Sequence, residues 1–225
     1  MQLDKVVHSK PEFYMRKLDF IATSKRLLYK LLWIDSLVTR QREEIARRNE
    51  AILDKYVSGR KVLEVGCGRG GGLVALMRRK GCTCYGVDVS PEMIDFAKEH
   101  NPGPSYRVAD SAKLPFDENQ FDFVIFNYVL HHVDDLENTI REAKRVGRHV
   151  IIYEAACFEH QPLKSLSRLF WKLTDGGHGY KSLSEWKSLF NEPAIEEIRG
   201  TGLVRYGMCI FKKSNRRESF ANEGK

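Results

Sequence analysis

The chain is predicted to be an α/β protein built on a doubly wound, mostly parallel sheet, and three observations predict it. Short apolar runs alternate with helix-patterned segments from Lys61 to about Tyr153. The first run, Lys61-Val62-Leu63-Glu64-Val65, turns abruptly into Gly66-Cys67-Gly68-Arg69-Gly70-Gly71-Gly72. Acids stand at the ends of these runs, Glu64 in the first and Asp88 after the second.

Taken in order, residues up to about Tyr56 read as helical, because Leu18, Ile21, Leu28, Leu31, Leu32 and Leu37 recur at roughly helical spacing and 40–50 is a charged, helix-forming run. After the first strand, helices are expected over 71–80, 91–100 and 136–145. Ser90-Pro91-Glu92 supplies an N-cap followed by proline at the first helical position. Cys82-Thr83-Cys84-Tyr85-Gly86-Val87 reads as the second strand, Tyr106-Arg107-Val108-Ala109 as the third, the run from Phe121 as the fourth and 148–153 as the fifth. A helical insertion is then expected over about 155–192. In it Leu163, Leu166, Phe170 and Leu173 form one stripe, and Lys164, Arg168 and Lys172 another. Gly176-Gly177-His178-Gly179-Tyr180 breaks that helix, and closing strands are expected over 195–199 and 208–213. The organisation is therefore an N-terminal helical extension (1–57), a main domain (58–213) carrying the insertion, and a polar tail (214–225) expected to be disordered.

With 225 residues the chain can bury one sizeable core, which disfavours a second catalytic domain. Its net charge of +7 suits anionic partners without choosing among membrane surfaces, acidic metabolites and nucleic acid. Five scattered cysteines with no C-x-x-C pair suggest neither a disulfide framework nor a zinc site, so no metal is expected and a reducing cytoplasm is. No signal peptide or transmembrane span is read, since Lys30 interrupts the longest N-terminal apolar stretch.

The glycine turn is a place for a nucleotide-derived ligand, because residues without Cβ let a ligand approach the backbone while the following helix offers free N–H groups. Its spacing satisfies a dinucleotide fingerprint as Gly66, Gly68 and Gly71, and a methyltransferase form as Gly66, Gly68 and Gly70. Glu64 discriminates: a carboxylate just below the loop would repel a pyrophosphate and suits a cofactor with a positive end. Asp88, about 20 residues beyond the loop, can accept both hydroxyls of a ribose. Asp110 can take the exocyclic amine of an adenine, with the next backbone N–H reaching a ring nitrogen.

With Glu64-Val65-Gly66-Cys67-Gly68, Gly86-Val87-Asp88-Val89-Ser90, Asp110-Ser111-Ala112-Lys113-Leu114-Pro115-Phe116 and Phe121-Asp122-Phe123-Val124-Ile125 in this order, the chain resembles the class I S-adenosylmethionine-dependent methyltransferases. The resemblance is to the methyltransferase type 11 group of small-molecule and lipid enzymes and runs from about Val62 to about Glu154. It implies a Rossmann-like sheet with an antiparallel hairpin at one edge, and S-adenosyl-L-methionine as cofactor. It also implies that Glu64, Gly66, Cys67 and Gly68 hold the methionine end, Asp88 the ribose, Val89 or Met93 the adenine face, and Asp110 with Ser111 the adenine edge. Asn127 would border the methyl group.

Methyl transfer from a sulfonium is a direct displacement, so alignment and desolvation can supply most of the acceleration and no obligatory catalytic side chain follows. A base is needed only for an acceptor that holds its proton at neutral pH. Parallel-sheet topology puts Tyr128, His131, His132, Tyr153 and Glu154 at strand ends, and His131, His132 and Glu154 are the catalytic candidates. His178 could reach an acceptor from its glycine-rich loop. Adjacent His131 and His132 point in different directions, so one of them at most is expected to face the pocket. The expected reaction is transfer of a methyl group to an O, N or C nucleophile of a small-molecule or lipid-like acceptor. The competing readings are an NAD(P)-dependent oxidoreductase and a non-catalytic S-adenosylmethionine-binding regulatory protein. The resemblance also disfavours a nucleic-acid substrate, because the family's base-amino enzymes carry Asn- or Asp-Pro-Pro-Tyr or a similar motif after the fourth strand, whereas here Asn127 is followed by Tyr128-Val129-Leu130. The amphipathic segments at 26–38 and 163–173 are expected to cap the site or to touch a membrane surface, with Trp33 and Trp171 in lipid and lysines on phosphate.

Overall fold

A computed structural model describes residues 47, 50, 51, 53–190, 194–199 and 206–212. The expected extension, apart from its last residues, the segment 26–38 with Trp33, and the expected polar tail lie outside the described residues.

Five parallel strands carry the fold: β1 (Lys61–Val65), β2 (Thr83–Asp88), β3 (Ser105–Val108), β4 (Phe121–Asn127) and β5 (Gly147–Cys157). A two-residue strand, β6 (Lys181–Ser182), pairs parallel with the end of β5. The sheet closes with β7 (Ala194–Arg199) and β8 (Tyr206–Lys212), and its order is β3-β2-β1-β4-β5-β8-β7. The closing hairpin is antiparallel and lies at one edge, with the reversed strand β8 inserted beside β5 and β7 outermost. The order reverses at β1, which has β2 on one side and β4 on the other, so a crevice opens beyond the carboxyl ends of β1 and β4.

Apolar runs such as Phe-Asp-Phe-Val-Ile-Phe in β4 are near-continuous because helices cover both faces of the sheet. The connecting helices are α1 (Leu73–Arg79), α2 (Pro91–His100) and α3 (Leu136–Val146), followed in the insertion by α4 (Leu163–Asp175) and α5 (Leu183–Ser188). On one face Val74, Met77, Ile94 and Ala97 pack with Leu53 and Val57 over Val62, Ile125 and Ile151. On the other, Ile140, Ala143, Val146, Trp186 and Phe190 cover Leu63, Val124, Phe126 and Ile152.

Local chemistry sets the helix starts. Ser90 accepts the Met93 N–H at 3.2 Å, and Pro91 follows it as the first residue of α2. Asp135 accepts the Asn138 N–H at the start of α3, and Ser182 with Glu185 forms a reciprocal capping box on α5. β5 extends to Cys157, four residues past the expected end, because the insertion folds back and supplies β6 as a partner.

Trp186 ties the insertion to the sheet. It is fully buried, and its indole N–H donates to the Ala155 carbonyl at 3.2 Å. Trp186→Ala should therefore lower the unfolding free energy by about 3–5 kcal/mol, read as a fall in the denaturant midpoint without loss of two-state behaviour.

Candidate functional site

The loop after β1 takes its shape from β2. Gly66 and Cys67 N–H groups both donate to the Val87 carbonyl, at 2.8 and 3.0 Å, folding the loop back across the strand end. Gly66 has φ +73°, and a Cβ there would run into the Val129 side chain. Gly70, at φ +69°, lies against the Tyr106 ring in the same way. Asp88, at the end of β2, accepts the Gly68 N–H at 2.9 Å through one carboxylate oxygen and the Ser90 N–H at 3.0 Å through the other. A carboxylate offers about four acceptor positions, so Asp88 can fix both turns and still accept hydroxyls from a ligand.

Glu64 takes a less expected place. Period-two alternation puts it on the same face of β1 as Val62, directly below the start of α1. That helix has no side-chain cap at Gly72 and no acid in its first turn; the Glu64 carboxylate accepts the Val74 N–H from beneath at 2.8 Å. Burial raises its pKa to about 8, opposed by hydrogen bonds from Val74 and the Asn127 side chain and reinforced by the nearby charge of Asp88. Cys67 turns inward against Gly86, and burial pushes its thiol well above the ordinary range.

At the end of β4 the chain turns through Tyr128, at φ +55°, whose N–H donates to the Tyr153 carbonyl at 2.8 Å. A single 3₁₀ turn (Leu130–His132) follows. Glu154 caps it: one oxygen accepts the Val129 and Leu130 N–H groups at 2.9 and 2.7 Å, and the other lies 2.7 Å from His131 Nδ1. Both side chains of this pair are 1% exposed. The His131 ring stacks on Tyr180 at 4.6 Å, and the His131 carbonyl accepts N–H groups of His178 and Gly179 at 3.1 and 3.0 Å. His178 Nε2 also reaches Asp134 at 3.3 Å. The glycine-rich loop after α4 is thereby latched to the turn after β4.

Between these pieces lies a cavity of about 830 Å³. Of the residues singled out in the sequence, Gly66, Gly68, Asp88, Val89, Met93, Asp110, Ser111, Tyr128 and His132 line it. Glu64, Cys67 and Asn127 lie behind that lining, while His131 and Glu154 are buried as a pair. Tyr153 is also buried, which raises its phenol pKa strongly. The histidine pair is thus divided, with His132 on the cavity and His131 turned into the protein. Asp110 folds its carboxylate onto the Ala112 N–H at 2.8 Å, and Ser111 Oγ lies 2.9 Å from Thr139 Oγ1.

Sequence reasoning missed Arg69, Asp134, Asp135, Thr139 and Gly176, which also line the cavity. Asp135 could have been found as the N-cap of α3, and Thr139 one turn later on the same helix. Gly176 arrives only through the fold of the insertion. Asp88, Asp110, Asp134 and Asp135 surround the cavity against Arg69, giving this basic chain a locally negative site that favours a ligand with a cationic portion. Among the described residues no cluster of His, Cys, Asp and Glu is arranged to hold a metal ion.

Residues 63–150 match the family described as a methyltransferase domain. The 2-phytyl-1,4-naphtoquinone methyltransferase of Nostoc punctiforme is 38% identical over 97 residues, which cover 40% of this chain and 42% of that protein. A demethylmenaquinone methyltransferase of Staphylococcus aureus is 30% identical over 156 residues, covering 63% of this chain and 65% of that one. The uncharacterized methyltransferase YcgJ of Bacillus subtilis is 30% identical over 163 residues, covering 67% and 64%. The chain thus spans less than two thirds of the length of each of these relatives. The crystal structure of YcgJ shares the fold, with a TM-score of 0.62 at 19% identity over 75% of this chain and 99% of that one.

The buried state of Glu64 has a measurable consequence for stability. Its folded pKa of about 8 lies above the ordinary 4.5, so the folded protein holds a proton that the unfolded chain releases. Stability should be greatest below about pH 4.5 as far as this group is concerned, and should decline as pH rises toward 8. Glu64→Gln should abolish this component of the decline, seen by comparing denaturant midpoints of both proteins at pH 5 and pH 8.

Proposed function

We propose that this chain, whose residues 63–150 match the methyltransferase-domain family, is an S-adenosylmethionine-dependent methyltransferase acting on a small, lipid-like acceptor. One observation carries the reading: Asp88, Asp110 with Ser111, and the backbone of Gly66 and Gly68 converge on a single cavity that Glu64 underlies. The cavity is large enough for a nucleoside-derived donor and a second molecule beside it. The open part of the loop is Gly68, at φ +52°, where a Cβ would meet nothing within 4 Å and the bare backbone leaves room for the donor's methionine end; at Gly66 that space is filled by Val129.

When bound, S-adenosylmethionine would supply a methyl group on a sulfonium, whose carbon an aligned nucleophile takes as S-adenosylhomocysteine leaves with the bonding pair on sulfur. The protein's part is to hold and to exclude water. Asp88 accepts the ribose hydroxyls with the lone pairs left over from Gly68 and Ser90. Val89 and Met93 cover the adenine face, and Asp110 and Ser111 take its edge. Glu64, Gly66, Cys67 and Gly68 hold the methionine end, Glu64 as a buried counter-charge and the others through backbone, with Asn127 fixing the Glu64 carboxylate. His132, at the cavity wall, is the side chain assigned to remove a proton from an acceptor that still carries one. His131 and Glu154 are assigned to positioning: they hold the turn that carries His132 and the loop that carries Gly176.

The acceptor class is supported by two relatives named for quinone substrates. Within the 58–213 domain, the 155–192 insertion supplies one wall of the cavity at Gly176, and the 1–57 extension is assigned to capping the acceptor end.

The direct test is incubation with labelled methyl donor and a fractionated cell extract, with the labelled product identified by mass; donor binding without any labelled product would mean a non-catalytic binder. Asp88→Ala should weaken adenosyl-homocysteine binding by about 1.5–3 kcal/mol in calorimetry, through loss of charged hydrogen bonds to the ribose. Binding of the cationic donor should also lower the pKa of Glu64 from about 8 and expel its proton. Donor titrations at pH 7 in buffers of different ionisation heat should show proton release by the native protein, and none by Glu64→Gln.

A further inference from the structure

Left-handed backbone positions in this protein are filled, with one exception, by residue types suited to them. Among the described residues with positive φ, seven are glycines, which have no Cβ to clash, and one is Asn119, a type that tolerates this region. The exception is Tyr128, at φ +55°. A bulky side chain in this conformation is strained, and it persists only where the surrounding structure imposes it. The turn after β4 does so: the Tyr128 N–H is bound to the Tyr153 carbonyl, and Glu154 takes the next two N–H groups. Glycine or asparagine would make the same turn with less strain, so the backbone does not account for a tyrosine.

Packing does not account for it either. Tyr128 is 37% exposed, and among the described side chains no other Phe, Tyr or Trp is exposed. Trp171, expected to enter lipid, is only 5% exposed and stacks toward Tyr180. Phe170, expected in the outer stripe, is half-buried and packs edge-on to Trp171. Tyr128 instead lines the cavity. Val129, next in the chain, packs against Gly66 of the donor loop, and His132 ends the 3₁₀ turn that follows. An exposed aromatic residue is thus held between the loop assigned to the donor and the side chain assigned to the acceptor's proton.

The sheet order excludes adenine as the partner of this ring. Asp88, Val89 and Met93, assigned to the nucleoside, stand at or after the end of β2, whereas Tyr128 follows β4, and β1 lies between those strands. Neighbouring strands are about 4.8 Å apart, which separates the two places by roughly 10 Å. Val129 and Val133 line the cavity with Tyr128, so the wall on the β4 side is apolar and aromatic and suits a flat ring laid against it.

We propose that Tyr128 sets acceptor specificity by stacking its ring on a planar, ring-containing acceptor. This rests on the methyltransferase reading above and deepens it, naming the shape of the group that is presented to the methyl carbon. The strained backbone is retained because it places an aromatic face at that point.

The test is calorimetry on the full chain in the presence of adenosyl-homocysteine, titrated with 1-naphthol and, separately, with its saturated counterpart decahydro-1-naphthol. The two probes share a skeleton and a hydroxyl and differ in planarity. The native protein should bind the planar probe about fivefold more tightly or better. Tyr128→Phe should keep that preference and Tyr128→Asn should lose it, with adenosyl-homocysteine affinity unchanged in both. The ligand-free melting temperature of Tyr128→Asn should equal or exceed the native value, because asparagine relieves the strain. No preference in the native protein, or a preference kept by Tyr128→Asn or lost by Tyr128→Phe, overturns the proposal. So does weaker adenosyl-homocysteine binding by Tyr128→Asn, which would put the ring on the donor, or a lower melting temperature, which would make the ring a packing element. A native protein that gives no heat with adenosyl-homocysteine yet prefers 1-naphthol would uphold the planar site and remove the methyltransferase reading instead.

Discussion

A single buried carboxylate joins the pieces of this site. Glu64 belongs to β1, accepts a backbone N–H from α1 and a side-chain hydrogen bond from Asn127 at the end of β4, and feels the charge of Asp88 from β2. Burying a carboxylate is costly unless hydrogen bonds or an opposite charge compensate it. Here the hydrogen bonds are present but do not overcome burial, which is why the proton is retained up to about pH 8. The switch point of the sheet therefore contains a carboxyl group that burial keeps protonated in the neutral range. An apolar residue at this position would serve the core better and the site worse.

The second organising feature is the buried pair His131 and Glu154. Glu154 gives up its acceptor capacity to the turn after β4 and to His131, and His131 carries the loop from the insertion on its ring and carbonyl. Gly177 allows this approach, since a Cβ there would lie 2.5 Å from the His131 ring. The β4 turn and the insertion wall are consequently one packed unit, although more than forty residues separate them in sequence.

The insertion shows how amphipathicity can mislead. A stripe of leucines opposite a stripe of cations normally predicts leucines inward. In α4 the capping box of α5 orients Glu185 toward Lys164 and Arg168, and Trp171 fills the apolar space over Ala155 and Cys157, so the helix is held by its mixed face. The leucines are left outside because the inner seat is already taken by an ion pair and an indole.

The sequence by itself determined the strand and helix alternation, the helix over 91–100, the glycine turn and the acids at the ends of β1 and β2, because these are local rules: period, capping and backbone freedom act within a few residues. It also determined which residues collect at the carboxyl ends of the strands, since parallel topology leaves no other place for Asp88, Asp110 and the residues after β4. Only the tertiary structure decided how those residues face. His132 lines the cavity while His131 and Glu154 turn inward, Cys67 and Glu64 lie beneath the lining, and Thr139 and Gly176 join from distant segments. Direction at a strand end depends on which neighbour offers a hydrogen bond or a ring to stack on, and those neighbours are brought together by packing across long sequence separations.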